Sequence, residues 1–356
     1  MQATDGNFYG TTPHGGRYGN NGTVFKITPQ GSVTTLHSFD NTDGAVPMDL
    51  VQATNGNLYG TTSNGGDLTC NFGQGCGTFF EITTGGKLTT LRRFSNTDGV
   101  LPIGLVQATD GNFYGTTILG GNLTCPQGCG TVFEITPGGK LTTLHLFHET
   151  DGAEPFARPM QATDGNFYGT TTSGGDLNCA STAVPPGCGT VFSVSVGLGP
   201  FVETQPTSGK VGATVIILGN NLTDATSVTF NGKAATFMVV SSTEIMTIVP
   251  SGATPGKVKV KTPVGTLTSN VNFRVSPTIS SFSPTSGPVG TDVVITGESF
   301  TGATSVTFGG VNATSFTVDS SSEITATVPT GAKTGKIGVT TPGGTATSVE
   351  SFTVTM

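Results

Sequence analysis

Charge is scarce in this chain. Asp, Glu, Lys and Arg make up 10% of its 356 residues, against about a quarter in an average soluble protein. Positive charge is scarcer still in the first part. Residues 1–200 hold 7 Lys and Arg against 14 Asp and Glu, and residues 201–356 hold 8 of each. A nucleic-acid binder needs a positive field to displace counterions. The first stretch has the opposite sign and the second has no net charge, which excludes DNA or RNA as a partner. No apolar run is long enough to span a bilayer, and no signal peptide is visible, the chain opening directly with Met1-Gln2-Ala3-Thr4-Asp5. No segment sustains a helical period. Gly-x-Ser-x-Gly, the P-loop, Gly-x-Gly-x-x-Gly and His-Glu-x-x-His are all missing, so no catalytic residue, cofactor site or metal site is assigned.

Glycine and proline are plentiful, at 54 and 20 residues, and they recur with a period, which marks tight turns. Val, Ile, Thr and Phe suit pleated, half-buried surfaces. The expectation is an all-β chain of two or three domains.

One phrase occurs four times, from Gln2 (QATDGNFYGTT), Gln52 (QATNGNLYGTT), Gln107 and Gln161 (both QATDGNFYGTT). Each copy is followed by a Gly-Gly pair (15–16, 65–66, 120–121, 174–175) and a GTVFEI-like run. The first three units add a run such as Lys87-Leu88-Thr89-Thr90-Leu91 and close on Thr-Asp-Gly. Asp-Gly and Asn-Gly are favoured centres of type I′ hairpin turns. Each unit therefore predicts four short strands in about 50 residues, the content of one propeller blade. A blade cannot bury both faces alone, so neighbours must stack. Phe8, Leu58, Phe113 and Phe167, and Phe25, Phe80, Phe133 and Phe192, are the candidates for that inter-blade core. Tyr9, Tyr59, Tyr114 and Tyr168 share one repeat position. They read either as a ligand-facing ring or, the favoured reading, as packing positions with a tethered hydroxyl.

Over residues 1–196 these units resemble the GloVer (Gloeo_Verruco) tandem repeat of exported bacterial proteins, through NFYGTT…GG…GTVFEITPGGKLTTLHSF. The resemblance implies a secreted protein, often tethered by a C-terminal anchor, and no particular activity; no such anchor is seen in this chain. The fourth unit lacks its last strand, since Val194-Ser195-Val196 runs into Gly197-Leu198-Gly199-Pro200. No spare strand precedes Gln2 to close a ring. Met160 precedes Gln161 within the array, so Met1 is expected to be an internal Met of a longer frame with further repeats and a leader upstream.

All six cysteines fall in the array, as Cys70/Cys76, Cys125/Cys129 and Cys179/Cys188, one pair per unit between the Gly-Gly and the Gly-Thr. The first unit lacks both members. Pairs present or absent together are expected to be disulfides formed in an oxidising compartment. Such short loops are stabilised by only about 2–3 kcal/mol each on the chain-entropy model. Zinc is the rival, but only Cys125/Cys129 has a suitable spacing, and the pairs belong to different units.

After Pro200 a second repeat begins. Pro206-Thr207-Ser208-Gly209 and Pro284-Thr285-Ser286-Gly287 open two units of short alternating strands, the pattern of β-sandwiches. Through Pro-x-Ser-Gly-x-x-Gly, then Gly219-Asn220-Asn221-Leu222 and Gly297-Glu298-Ser299-Phe300, both resemble IPT/TIG immunoglobulin-like domains. That family serves as a DNA-contacting module in some regulators, as a spacer or protein-contact module in receptors and bacterial surface proteins, and as a companion of some polysaccharide-degrading enzymes. No basic DNA-contact loop is seen here. The expected domains are 1–199, a propeller-like array, and two sandwiches over 200–276 and 277–356. Lys257, Lys259 and Lys261 share one strand face. That face is either a polyanion site or, preferably, a charged guard against edge-to-edge pairing.

His37 and His145 share a position where the second unit has Arg92, and His14 and His148 have no counterparts, so all four read as surface residues. Asp5, Asp110 and Asp164 sit in hairpins, and Asp43, Asp98 and Asp151 precede Gly. Asp40-x-x-Asp43-Gly44 could bind calcium, but Asp before Gly is ordinary turn chemistry, and no Asp-x-Asp-x-Asp-Gly run occurs. The expected function is extracellular or cell-surface binding of carbohydrate or protein by the repeat loops, with the sandwiches as spacer or stalk. The alternative is a fragment of a polysaccharide-cleaving propeller enzyme, which would need two carboxylates about 5–10 Å apart.

Overall fold

The computed structural model describes residues 1–122, 125, 127–179 and 186–355. The chain forms two compact units, Met1–Leu198 and Gly199–Met356. In the first, sheet one holds β1 (Phe8–Thr12), β2 (Thr23–Ile27) and β3 (Val33–Ser38), with Gln2 bridged to Phe8 beside β1. Sheet two holds β4 (Ala45–Gln52), β5 (Leu58–Asn64), β6 (Thr78–Ile82) and β7 (Leu88–Arg93). Sheet three holds β8 (Val100–Gln107), β9 (Phe113–Leu119), β10 (Thr131–Ile135) and β11 (Leu141–Leu146). Sheet four holds β12 (Met160–Gln161), β13 (Phe167–Thr170) and β14 (Val191–Val194). Within each sheet the strands are antiparallel and in chain order, as hairpin connections require.

Strand alternation gives each sheet two faces, and the faces stack. Tyr9, Val24 and Phe39 of sheet one meet Leu58, Phe80 and Ile82 of sheet two. Tyr59, Phe79 and Phe94 of sheet two meet Phe113, Phe133 and Ile135 of sheet three. Tyr114, Val132 and Phe147 of sheet three face Phe167, Phe192 and Val194 of sheet four. One edge-on ring pair recurs at each contact: Phe39–Phe80 at 5.3 Å, Phe94–Phe133 at 5.3 Å and Phe147–Phe192 at 5.1 Å. The expected core therefore holds for Leu58, Phe80, Phe113, Phe133 and Phe167, which are fully buried. It does not hold for Phe8, which is exposed, or for Phe25, which is half-buried. Their face is the one that in later sheets is covered by the sheet before.

The Gly of each GTVFEI run has a packing reason. Gly77 has φ +94°, and a Cβ there would lie 2.7 Å from Pro102 Cδ of sheet three; Gly22 with Pro47 and Gly130 with Pro155 repeat this contact. Only glycine adopts that φ cheaply and lets the next sheet's proline approach.

The second unit contains two sandwiches. In the first, β15 (Glu203–Gln205), β17 (Thr214–Leu218), β21 (Glu244–Ile248) and β20 (Phe237–Ser241) form one sheet. The other is built from β16 (Ser208–Gly209), β23 (Gly265–Val275), β22 (Gly256–Thr262), β18 (Ser227–Phe230) and β19 (Lys233–Ala235). The second sandwich repeats this plan. One sheet holds β24 (Thr278–Ser283), β26 (Asp292–Glu298), β30 (Glu323–Thr327) and β29 (Phe316–Ser320). The other holds β25 (Ser286–Gly287), β32 (Gly344–Val354), β31 (Gly335–Thr341), β27 (Ser305–Phe308) and β28 (Val311–Asn312). Inward residues of both sheets interdigitate, for example Val215, Ile217 and Ile245 with Val258, Val260 and Phe273 in the first and Val293, Ile295 and Ile324 with Ile337, Val339 and Phe352 in the second.

Candidate binding surface

The stacked array has two ends of different character. At one end lie the Asp-Gly-Asn hairpins, and their polar groups are spent on one another. Asp110 Oδ1 accepts from the Asn112 backbone N–H, and Oδ2 accepts from the Asn112 amide and the Tyr114 hydroxyl at 3.0 Å. Asp5 with Tyr9 (2.7 Å) and Asp164 with Tyr168 (2.8 Å) repeat the arrangement. In the second unit Asn55 replaces the Asp, and the Tyr59 hydroxyl donates to Glu81 instead, at 2.9 Å. Burial, then the Asp5 hydrogen bond, push the Tyr9 phenol up to about 12. Burial beside the Asp110 charge pushes Tyr114 up as well. Burial acts to raise the Asp5 carboxyl, but bonds from Tyr9 and Asn7 outweigh it and hold the group below its usual range. Tyr9, Tyr59 and Tyr114 are tethered packing residues, and Tyr168 is tethered but half-buried.

The Gln that opens each phrase staples neighbouring hairpins. Gln52 accepts from the Thr4 N–H (2.8 Å), Gln107 from Thr54 (2.9 Å) and Gln161 from Thr109 (3.1 Å). Gln52 and Gln107 also donate to Gly56 and Gly111 within their own turns. The sequence held this signal, an invariant Gln before each hairpin, but its reach to the preceding unit becomes visible only once the sheets stack.

The other end carries the Gly-Gly loops and the Thr-Asp-Gly links. Disulfides join Cys70–Cys76, Cys125–Cys129 and Cys179–Cys188, with Cα separations of 5.5, 5.6 and 5.8 Å. Each loop is tied to the link that leads into or out of its sheet: the Gly66 N–H donates to Asn41 O, Gly121 to Asn96 O and Gly175 to Glu149 O. The link aspartates have basic partners. His37 meets Asp43 at 2.7 Å, Arg92 meets Asp98 at 2.6 Å and His145 meets Asp151 at 3.1 Å. His37 and His145 are thus repeat-equivalent hydrogen-bond partners of the link aspartates, and Arg92 satisfies the position equally well. Asp40 accepts from Thr42 and from the Asp43 N–H, and Asp43 accepts from His37 and from the Asp40 N–H. Those oxygens are turn acceptors. Asp49 Oδ2, on the inner strand β4, accepts from the Leu105 N–H at 3.1 Å and lies 3.9 Å from Arg158 Nε.

Two aromatic rings break the repeat at this end. Tyr18 stands on the first loop, half exposed, with the Arg17 guanidinium 5.6 Å from its ring centroid. Phe72 stands on the Cys70–Cys76 loop and is 90% exposed. Its backbone is left-handed, φ +54° and ψ +30°, as is that of Asn71 at φ +50°. An aromatic residue pays about 1–3 kcal/mol for that conformation, and such strain concentrates at functional positions. The same loop carries amides: Asn71 donates to Gly75 O, and Asn64 to Gln74 Oε1. Sequence reasoning did not single out Phe72, because a non-repeating Phe carries no periodic signal.

In the sandwiches, the three lysines separate. Lys257 Nζ donates to Asn270 O at 2.7 Å, and burial pulls its ammonium below the usual range. Lys259 and Lys261 are exposed.

The model of the Gloeobacter/Verrucomicrobia repeat matches residues 1–223. The chain belongs to this repeat family. Two IPT/TIG domains match at 201–275 and 277–355. No curated protein sequence matches the chain. Among solved structures it is similar to a surface glycan-binding protein from Prevotella bryantii (21% identity, 45% of this chain and 40% of that one, TM-score 0.30). It is also similar to one from a xyloglucan utilization locus of Bacteroides uniformis (26%, 43% and 48%, TM-score 0.21) and to a virginiamycin B lyase from Staphylococcus aureus (14%, 95% and 97%, TM-score 0.34). The chain spans 40% and 48% of the two glycan-binding proteins. TM-scores this low carry no argument about ligand. No helix among the described residues is long and apolar enough to cross a membrane.

Proposed function

We propose that this protein is a non-catalytic, extracellular or cell-surface binding protein. The stacked sheets act as propeller blades that hold their loop end towards a carbohydrate or protein ligand. The two sandwiches, over 200–276 and 277–356, serve as spacer or stalk. Three disulfides favour an oxidising compartment. The observation that carries the reading is Phe72, a nearly bare ring on a disulfide-closed loop in a left-handed conformation.

Carbohydrate is the ligand class this surface fits best. A flat ring covers the C–H face of a pyranose, and the adjacent amides of Asn71, Gln74 and Asn64 can exchange hydrogen bonds with its hydroxyls. The hairpin end has a cavity of about 220 Å³ between Asn55, Gln107 and Asp110, but no exposed aromatic ring lines it. A screen of soluble polysaccharides against the full chain tests this. Binding of at least one glycan is expected, with Phe72→Ala weakening it about tenfold or more, the loss of roughly 1.4 kcal/mol or more. Glycan binding untouched by both Phe72→Ala and Tyr18→Ala would sink the assignment to this surface.

A further inference from the structure

The two sandwiches share their inward residues and differ on one outer face. In the β15-β17-β21-β20 sheet the buried positions Val215, Ile217 and Ile245 match Val293, Ile295 and Ile324 of the sister sheet β24-β26-β30-β29. Five of the six outward pairs differ in polarity, Ile216 and Val294 being the exception. The first sandwich places Ile216, Leu218, Met238, Val240, Met246 and Ile248 there, and the second places Val294, Thr296, Thr317, Asp319, Thr325 and Thr327. In the sister sheet those polar groups bond to one another: Thr325 donates to Asp319 at 2.8 Å and Thr327 to Asp292 at 2.6 Å. The fold therefore does not require an apolar outer face, yet the first sandwich has one. Met238 is 58% exposed, Val240 49%, Ile248 44% and Met246 39%.

We infer that this face is a self-association surface, on which a second copy of the chain packs sheet against sheet about a two-fold axis. Ile216, Met246 and Met238 are cross-strand partners, so with Gln205 they form one row across all four strands. A two-fold axis along that row sets each residue of the row against its own counterpart, as an isologous contact demands. Charge fits the same operation. Glu203 and Glu244 both pair with Leu218 at one end of the strands, and Thr214 pairs with Ile248 at the other. The rotation exchanges the ends, so each carboxylate pair faces the partner's Thr214–Ile248 end and not the partner's carboxylates. Flexible methionines accommodate such a contact. The exposed apolar face is one small patch of side chains, short of the ~800 Å² per partner of a standard stable complex. The dimer is therefore weak and concentration-dependent.

Sedimentation of the full chain from roughly 10 μM to 1 mM reads this directly. The mass should rise towards that of a dimer. Met238→Thr with Met246→Thr installs the residues of the sister sheet and should weaken association about tenfold or more. Val240→Asp, also the sister's residue, should do the same independently, with thermal unfolding kept close to that of the parent chain. A chain that stays monomeric at the top concentration overturns the inference. So does association that both variants leave unchanged.

Discussion

Truncating the repeat phenylalanine should cost very different amounts in different sheets. Phe133 is fully buried, lies edge-on to Phe94 of the preceding sheet at 5.3 Å, and sits over Gly115, where even a methyl group would touch its ring at 2.5 Å. Phe133→Ala leaves a cavity that neither sheet can close. The expected loss is about 3–5 kcal/mol, as for other buried Phe→Ala changes, with about 0.5–1.5 kcal/mol of it from the lost ring pair. Phe25 occupies the same place in sheet one and lies over Gly10 in the same way, but no sheet covers it. With the ring only partly buried, Phe25→Ala should cost less, about 1–2 kcal/mol. Urea unfolding of both variants, followed by Tyr fluorescence and far-UV dichroism, gives the two values. Equal losses would refute the claim that stability comes from sheet-on-sheet stacking.

Three further outcomes follow from the same geometry. Gln107→Ala removes the bonds to the exposed Thr54 N–H and the part-buried Gly111 carbonyl and should cost about 0.5–1.5 kcal/mol in the same urea assay, while the isosteric Gln107→Glu keeps the acceptor and loses the donor. Gly77→Ala, at φ +94° against Pro102, should destabilise far more than Gly31→Ala at φ +86°, where nothing lies within 4 Å; thermal midpoints of the two variants decide it. Raising the pH above 10 should destabilise the array. The folded Tyr9 phenol keeps its proton to about 12 against a usual 10.0, so its stabilisation is whole below pH 10 and lost between the two values. Tyr9→Phe should flatten that part of a pH-dependent melting curve.

Most of the architecture was legible because the repeat states it four times. Strand positions, hairpin turns and cysteine pairs all recur, and a recurring feature must serve whatever the copies share, which is stacking. The aromatic positions were only half read. Phe39, Phe94 and Phe147 lie just beyond the obvious strands, so their part in the core shows only when the following sheet is in place. Phe8 and Phe25 illustrate the opposite limit, since identical residues acquire different burial from what lies beside them. The His37, Arg92 and His145 position looked tolerant in sequence, whereas in space it is one basic partner for one aspartate, a role both side chains can fill. Gln52, Gln107 and Gln161 were visible as a constant, but a hydrogen bond to the neighbouring unit has no sequence period of its own.

Repetition constrains what it buries, and so the places free to specialise are those where copies differ. In the array the inward faces, the hairpins and the glutamine ties hardly vary, because any change there is felt by two sheets at once. The loops beyond the Gly-Gly pairs vary freely: a Tyr stands in one and a strained, bare Phe in the next. The paired sandwiches obey the same logic. Their interiors agree position by position, while one outer sheet is apolar and its sister is a lattice of threonines. A difference between two copies of one fold cannot be ascribed to the fold. It points instead to what each copy meets outside itself, which for the array is the ligand proposed above and for the first sandwich the proposed second copy of the same face.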